Sequence, residues 1–187
     1  MSDLSPELVL PLLLGRLGTP YRFVAECAST QQELPDDAAE GSTVATDHQT
    51  EGRGRLGRAW VDAPGRGLLV SVVLRPARPL ADWPELSVVA GEAVAAALPI
   101  DAAVSHPNDV MVDGRKIAGI LPEARDGRVV LGIGVNANQR ADELPPEAVK
   151  PATSLYVELG REIERAPLLA AILLELERRY DAWCGVS

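Results

Sequence analysis

The spacing of apolar positions changes from segment to segment along this chain, and each spacing predicts an element. Residues 4–17 are leucine-rich and predict a short helix with Ser5 as its cap and Pro6 in its first turn, where a proline is accepted. Polar residues dominate 34–42, read as a loop that leads into a short strand at 43–46. The run Leu68–Leu74 is apolar throughout, the pattern of a strand covered on both faces. From Asp82 and Pro84 to about Leu98, a helix is predicted with Leu86, Val89, Ala93, Val94 and Ala97 on its apolar stripe.

Asp113-Gly114 and Asp126-Gly127 each separate two apolar runs, and Asp-Gly in that setting is a strong hairpin cue. Residues 110–112, 115–122 and 128–135 therefore read as an antiparallel meander. A last helix, about 166–183, would bury Leu169, Ile172, Leu173, Leu176, Tyr180 and Trp183. Consecutive hairpins, without regular β–α alternation, favour an α+β fold over a doubly wound sheet. With no internal repeat and no long linker, a single domain over 1–187 is expected. Strict alternation along the middle strand of the meander puts Lys116, Ala118 and Ile120 on one face. Gly132 and Gly134 share a face of the next strand, where their small size leaves a flat floor for a ligand. Taken alone, the strand pattern favours a plainer reading of Lys116, a solvated lysine beside a turn.

Composition bounds what such a fold can do. The 187 residues carry a formal net charge of -9 and are 47% hydrophobic, with a mean hydropathy of +0.04 and a pI near 4.7. These values describe a soluble globular chain and exclude the broad basic surface of a general nucleic-acid binder. Cys27 and Cys184 are too few for a disulfide framework and read as thiols in a reducing cytoplasm. The acidic start Met1-Ser2-Asp3 is no secretory signal, and the run Leu8–Leu14 is too short to span a bilayer, so no membrane partner is expected.

Against that acidic background, Gly52-Arg53-Gly54-Arg55-Leu56-Gly57-Arg58 stands out, with three arginines and three glycines in seven residues. Glycine lets backbone N–H groups approach an anion, and arginine offers a planar fork suited to carboxylate and phosphate oxygens. Trp60, just beyond, supplies a ring that could cover a nucleobase. The loop points to a phosphorylated or adenylated ligand, with plain turn glycines and a solvated arginine face as the alternative. Taken without context, Ser29-Thr30 reads as a helix cap, and Pro107-Asn108-Asp109 can be read as a turn. His48, His106 and the scattered acids lack metal-ligand spacing, and no Gly-x-Ser-x-Gly turn signals a serine hydrolase.

The blocks Gln49-Thr50-Glu51-GRGRLGRAW, Pro107-Asn108-Asp109-Val110, Gly114-Arg115-Lys116-Ile117-Ala118-Gly119-Ile120-Leu121 and Gly132-Ile133-Gly134-Val135-Asn136 come in an order that resembles the catalytic domain of biotin–protein ligases. Ser29-Thr30-Gln31 falls where that family has Ser-Thr-Asn, and the resemblance covers about 20–183. It implies a mixed, largely antiparallel sheet with helices on one side, like class II aminoacyl-tRNA synthetases. It also implies activation of biotin by ATP, with Mg2+, to biotinyl-5′-AMP, then transfer of biotin to a lysine of a biotin carboxyl carrier protein. Carried over by position, Ser29, Thr30, Gln31, Gln49 and Gly119 would line the biotin site. Arg53, Gly54 and Arg55 would close over the adenylate, with Arg55 also assisting catalysis. Trp60 would pack on adenine, Asn108, Asp109 and Asn136 would border the nucleotide, and Lys116 would contact the biotin carboxylate and α-phosphate as the main catalytic group.

The chain departs from this pattern at Ser105-His106, where the family reads Lys-Trp, so one positive charge and one large ring near the nucleotide are missing. The family's C-terminal β-barrel and the N-terminal winged helix of its repressors are expected to be absent, which argues against a DNA partner. A homodimer is compatible with the resemblance. Two other readings remain open: a lipoate or octanoate acyltransferase on the same fold, and a non-catalytic protein that binds biotin or its adenylate.

Overall fold

The computed structural model describes residues 2–145 and 150–186. Its centre is a seven-stranded sheet built from β1 (Tyr21–Cys27), β2 (Thr43–Gln49), β3 (Leu68–Leu74), β4 (Ala103–Ser105), β5 (Asp109–Val112), β6 (Arg115–Arg125) and β7 (Arg128–Val135), in spatial order β1-β2-β3-β7-β6-β5-β4. Only β1 and β2 pair in parallel, and every other neighbouring pair is antiparallel. Among the described residues four α-helices complete the fold: α1 (Pro6–Val9), α2 (Leu86–Ala97), α3 (Leu155–Leu159) and α4 (Arg165–Cys184).

The two Asp-Gly pairs make the turns expected of them. Asp113 and Gly114 have φ of 46° and 76°, and Asp126 and Gly127 have 45° and 76°. A pair of positive φ values gives a turn whose twist matches the flanking strands. Odd-numbered positions of β7 (Val129, Leu131, Ile133, Val135) and even-numbered positions of β3 (Val70, Val72, Leu74) face α2 and α4 and form the main core. A second cluster, Val44, Val73, Val130 and Leu34, lies on the opposite face, covered by the segment after β1. The helices thus pack on one side of the sheet and leave part of the other side free for a site. Gly91 brings α2 close to the edge strand, since a Cβ there would meet Val104 Cγ2 at 3.1 Å.

Several boundaries differ from the sequence reading. The helix expected over 4–17 stops after Val9 and continues only as a 3-10 turn over Leu10–Leu12. Pro11 has no N–H to give to a helical bond, and Gly15 and Gly18 follow. Ser5 occupies the cap position but its hydroxyl makes no capping bond. Strand β2 runs three residues beyond Thr46, and β1 was not foreseen at all. Helix α2 buries Ala90 where Val89 was expected, and Trp183 of α4 is only half-buried. Its indole Nε1 donates to Glu85 at 2.7 Å.

The most consequential difference lies in β6. Val110 pairs with Ala118 but Met111 pairs with Lys116, so Ile117 is an extra residue, a β-bulge. Ile117 and Ala118 are both fully buried toward the helices. Strict alternation would place Lys116 with Ala118 and Ile120 on that buried side. The bulge shifts the phase by one residue and puts Lys116 on the open side, together with Gly119, which pairs with Gly134.

Candidate active site

On the open side of the sheet, two rows of paired residues form a floor. Ser71 lies opposite Gly132, which lies opposite Leu121; Leu69 lies opposite Gly134, which lies opposite Gly119. The three glycines leave a recess into which other side chains descend. A Cβ at Gly134 would stand 2.7 Å from Trp60 Cε2, one at Gly119 would stand 2.8 Å from Trp60 Cζ3, and one at Gly132 would stand 3.1 Å from Gln31 Cδ. The Trp60 ring therefore rests directly on the floor. Its Nε1 is buried without a hydrogen-bond partner among the described residues, so it is a desolvated donor open to an incoming acceptor.

Polar groups wall the recess at the β1–β2 end. Thr30 N donates to Gln49 Oε1 at 2.9 Å, and Thr30 Oγ1 lies 2.7 Å from Ser71 Oγ. Gln49 reaches this position because β2 extends to its last residue. Gln31 Nε2 donates to the carbonyls of Leu121 (3.0 Å) and Val130 (3.2 Å), which pins its side chain against Gly132. Ser29, Thr30 and Gln31 are all buried, and residues 29–33 form turns instead of capping a helix.

Above the recess, residues 52–60 form a small hairpin flap. Gly54 N donates to Arg58 O at 2.7 Å, Trp60 N donates to Gly52 O at 2.9 Å, and Arg53 bridges Ala59. The tip carries Leu56 and Gly57 with φ of 58° and 72°. Leu56 is 85% exposed. Arg53 forms an ion pair with Glu123 at 3.3 Å, and Arg55 Nη1 donates to Asn108 Oδ1 at 3.4 Å. Pro107 and Asn108 lie in the turn between β4 and β5, with Asp109 opening β5. Asn108 is held by mutual bonds with Ile120: its Nδ2 donates to Ile120 O and its carbonyl accepts from Ile120 N.

Lys116 occupies the junction of two spaces. The recess is bounded by Thr30, Gln49, Trp60, Lys116 and the floor glycines. Beyond the flap, a cavity of about 700 Å³ is lined by Arg55, Arg58, Trp60, Asn108, Asp109 and Lys116, with His106, Asn136 and Lys150 among its other walls. Lys116 Nζ forms an ion pair with Asp109 Oδ1 at 2.7 Å and sits 5.5 Å from the centroid of the Trp60 ring. Lys150 Nζ donates to Asp109 Oδ2 at 2.8 Å. Burial pushes the Asp109 carboxyl up, but the two ammonium groups outweigh it and hold it below the usual carboxylate range. At the base of the flap Asp62 behaves oppositely: burial raises it, with His48 at 3.3 Å opposing only in part.

Every site residue expected from the sequence lies on the recess or on the larger cavity. Asn136 is the least available of them: its Nδ2 donates to Thr153 O at 2.9 Å and its Oδ1 accepts from Gln139. Ser71, Glu123 and Lys150 were missed. Ser71 sits inside an apolar run and Glu123 near a turn, where nothing in the pattern singles them out. Lys150 had a signal in principle, because it and Lys116 are the chain's only lysines. Among the described residues no group of three or more His, Cys, Asp or Glu side chains converges as metal ligands, and no helix is long and apolar enough to cross a membrane.

Residues 25–139 match the biotin/lipoate A/B protein ligase family. The bifunctional ligase/repressor BirA of Bacillus subtilis is 40% identical over 170 residues, covering 86% of this chain and 52% of that protein. The biotin–[acetyl-CoA-carboxylase] ligase of Mycobacterium tuberculosis is 37% identical over 174 residues, covering 86% of this chain and 64% of that protein. The chain thus spans about half to two-thirds of the length of these relatives. Among solved structures, the biotin protein ligase from Aquifex aeolicus in complex with biotin and ATP superposes with a TM-score of 0.78 at 32% identity, covering 90% of this chain and 73% of that one.

Proposed function

The chain belongs to the biotin/lipoate A/B protein ligase family, and from that membership we propose that it is a biotin–protein ligase. It activates biotin with ATP to biotinyl-5′-AMP and passes biotin to a lysine of a biotin carboxyl carrier protein, as one catalytic domain acting in the cytoplasm. The observation that carries this reading is the position of Lys116, which lines both the glycine-floored recess and the larger cavity. One ammonium there reaches a carboxylate bound on one side and an α-phosphate bound on the other.

In the first step a carboxylate oxygen of biotin attacks the α-phosphorus of ATP, and pyrophosphate leaves with the electron pair of the broken P–O bond. Both reactants are anionic, so charge rises along the path and a fixed cation between them lowers the barrier. Lys116 supplies it, braced by Asp109, with Arg55 closing from the flap. Thr30, Gln31 and Gln49, beside buried Ser29, present donors and acceptors for the ureido head of biotin. Arg53, Gly54, Asn108 and Asn136 border the nucleotide, with Trp60 stacked between the two ligands and Gly119 flooring the recess. Magnesium would be carried mainly by the nucleotide phosphates and water, as is usual for that ion. In the second step the acceptor lysine amine attacks the acyl carbon and AMP departs. The flap matters here because a mixed anhydride hydrolyses in open water. Pairing into a homodimer is compatible with this reading and not required by it.

Biotin-dependent ATP–pyrophosphate exchange tests the proposal. Wild-type protein should exchange, and Lys116→Ala should lose roughly 10²-fold or more, the scale of removing one preorganised electrostatic group. Tight biotin binding without exchange by the wild type would overturn the catalytic reading and leave a binding protein. Preferential use of lipoate in a competition assay would redirect it to the acyl ligases that share the fold.

A further inference from the structure

Of the 18 lysine and arginine residues in the chain, only Lys116 and Lys150 are lysines. Both converge on a single carboxylate. Lys116 Nζ stands 2.7 Å from Asp109 Oδ1 and Lys150 Nζ stands 2.8 Å from Asp109 Oδ2. They come from separate stretches: Lys116 from β6, Asp109 from β5, and Lys150 from the segment between β7 and α3. Lys150 also donates to Ser105 Oγ at 3.2 Å. Its ammonium therefore ties the end of β4 to the start of β5.

The charge count gives this cluster a direction. One carboxylate cannot neutralise two ammonium groups, so the trio keeps a net positive charge. That charge faces the larger cavity, which Lys150 lines while taking no part in the recess. Among the described residues Lys150 makes two bonds to protein acceptors, and its side chain is 36% exposed. A part-exposed ammonium oriented by protein contacts at a cavity wall is suited to a phosphate oxygen.

We propose that Lys150 is a phosphate-binding residue of the nucleotide site, braced by Asp109 and Ser105. The proposal rests on the reading of the larger cavity as the ATP site. It assigns Lys150 to the polyphosphate of ATP and not to biotin. A plainer role, tethering the segment to β5, would affect stability and both ligands alike.

The test compares wild type with Lys150→Gln and Lys150→Arg. The readouts are ATP–pyrophosphate exchange, calorimetric titration with ATP and separately with biotin, and thermal melting. Lys150→Gln should raise the KM for ATP roughly ten- to hundredfold, the worth of one charge-assisted contact. Its biotin affinity should stay within about twofold and its melting temperature within a few degrees. Lys150→Arg should keep most of the ATP affinity. An unchanged KM for ATP overturns the proposal, and so does a parallel fall in ATP and biotin affinity. If wild type shows no exchange, the ligase reading fails, yet titration with ATP still decides the role of Lys150. Weaker ATP binding by Lys150→Gln than by wild type supports it, and equal or absent binding by both overturns it.

Discussion

A single methyl group on the floor of the recess makes a sharp test of the site. In Gly134→Ala the new Cβ would lie 2.7 Å from Trp60 Cε2 and 2.8 Å from Trp60 Cζ2, about 1 Å inside ordinary carbon–carbon contact. The floor cannot drop, because Gly134 is paired with Leu69 on one side and with Gly119 on the other. The ring must lift, and it can, since it ends a flap whose tip is exposed. Two contributions then separate. For folding, alanine in a strand interior is favoured over glycine by about 0.5–1 kcal/mol, which offsets the small cost of tilting the ring. For binding, the raised floor leaves a ligand with an overpacking cost of about 1–3 kcal/mol, or roughly a 5- to 150-fold weaker Kd. Calorimetric titration with biotin and urea denaturation read the two separately. Wild-type biotin affinity in Gly134→Ala would refute the assignment of the recess. A loss of several kcal/mol in stability would show instead that the ring is part of the fixed core.

Two further outcomes are expected. Trypsin should cut at the exposed Arg53, Arg55 and Arg58 in the free protein and spare them when biotin and ATP are present; equal cutting in both states, read by mass spectrometry, would count against a closing flap. Asp109 sits below the usual carboxylate range, so its stabilising contribution is present above about pH 4 and is lost as the pH falls through its lowered folded value. The stability difference between wild type and Asp109→Asn should hold steady at neutral pH and shrink in acid, as denaturant melts at a series of pH values would report.

Much of this architecture was legible because it rests on local rules. Asp113-Gly114 and Asp126-Gly127 dictate their turns through positive φ, and α4 announces itself by a 3.6-residue period closed by Gly185 with φ of 75°. The arginine-glycine flap and the glycine pair of β7 could be read as a binding surface for the same reason. Other features depend on partners distant in sequence. Strand β1 is mostly half-exposed and is fixed by parallel pairing with β2, which its own pattern cannot signal. The bulge at Ile117 is set by register against β5, so a period-two reading put Lys116 on the wrong side of its strand. Lys150 acquires its meaning only when a stretch more than 40 residues beyond Asp109 folds back to meet it.

The flap's own backbone bonds tie its tip to its base. Arg55 near the tip and Trp60 at the base belong to one hydrogen-bonded unit, so drawing either inward drags the other along. If the recess and the cavity take neighbouring molecules as proposed, one held against the indole meets part of the entropy cost of arranging the guanidinium groups, and its neighbour finds them nearly in place. On that reading linkage makes the gain mutual, each tightening the other by the same factor, so that holding both together is favoured over holding either alone.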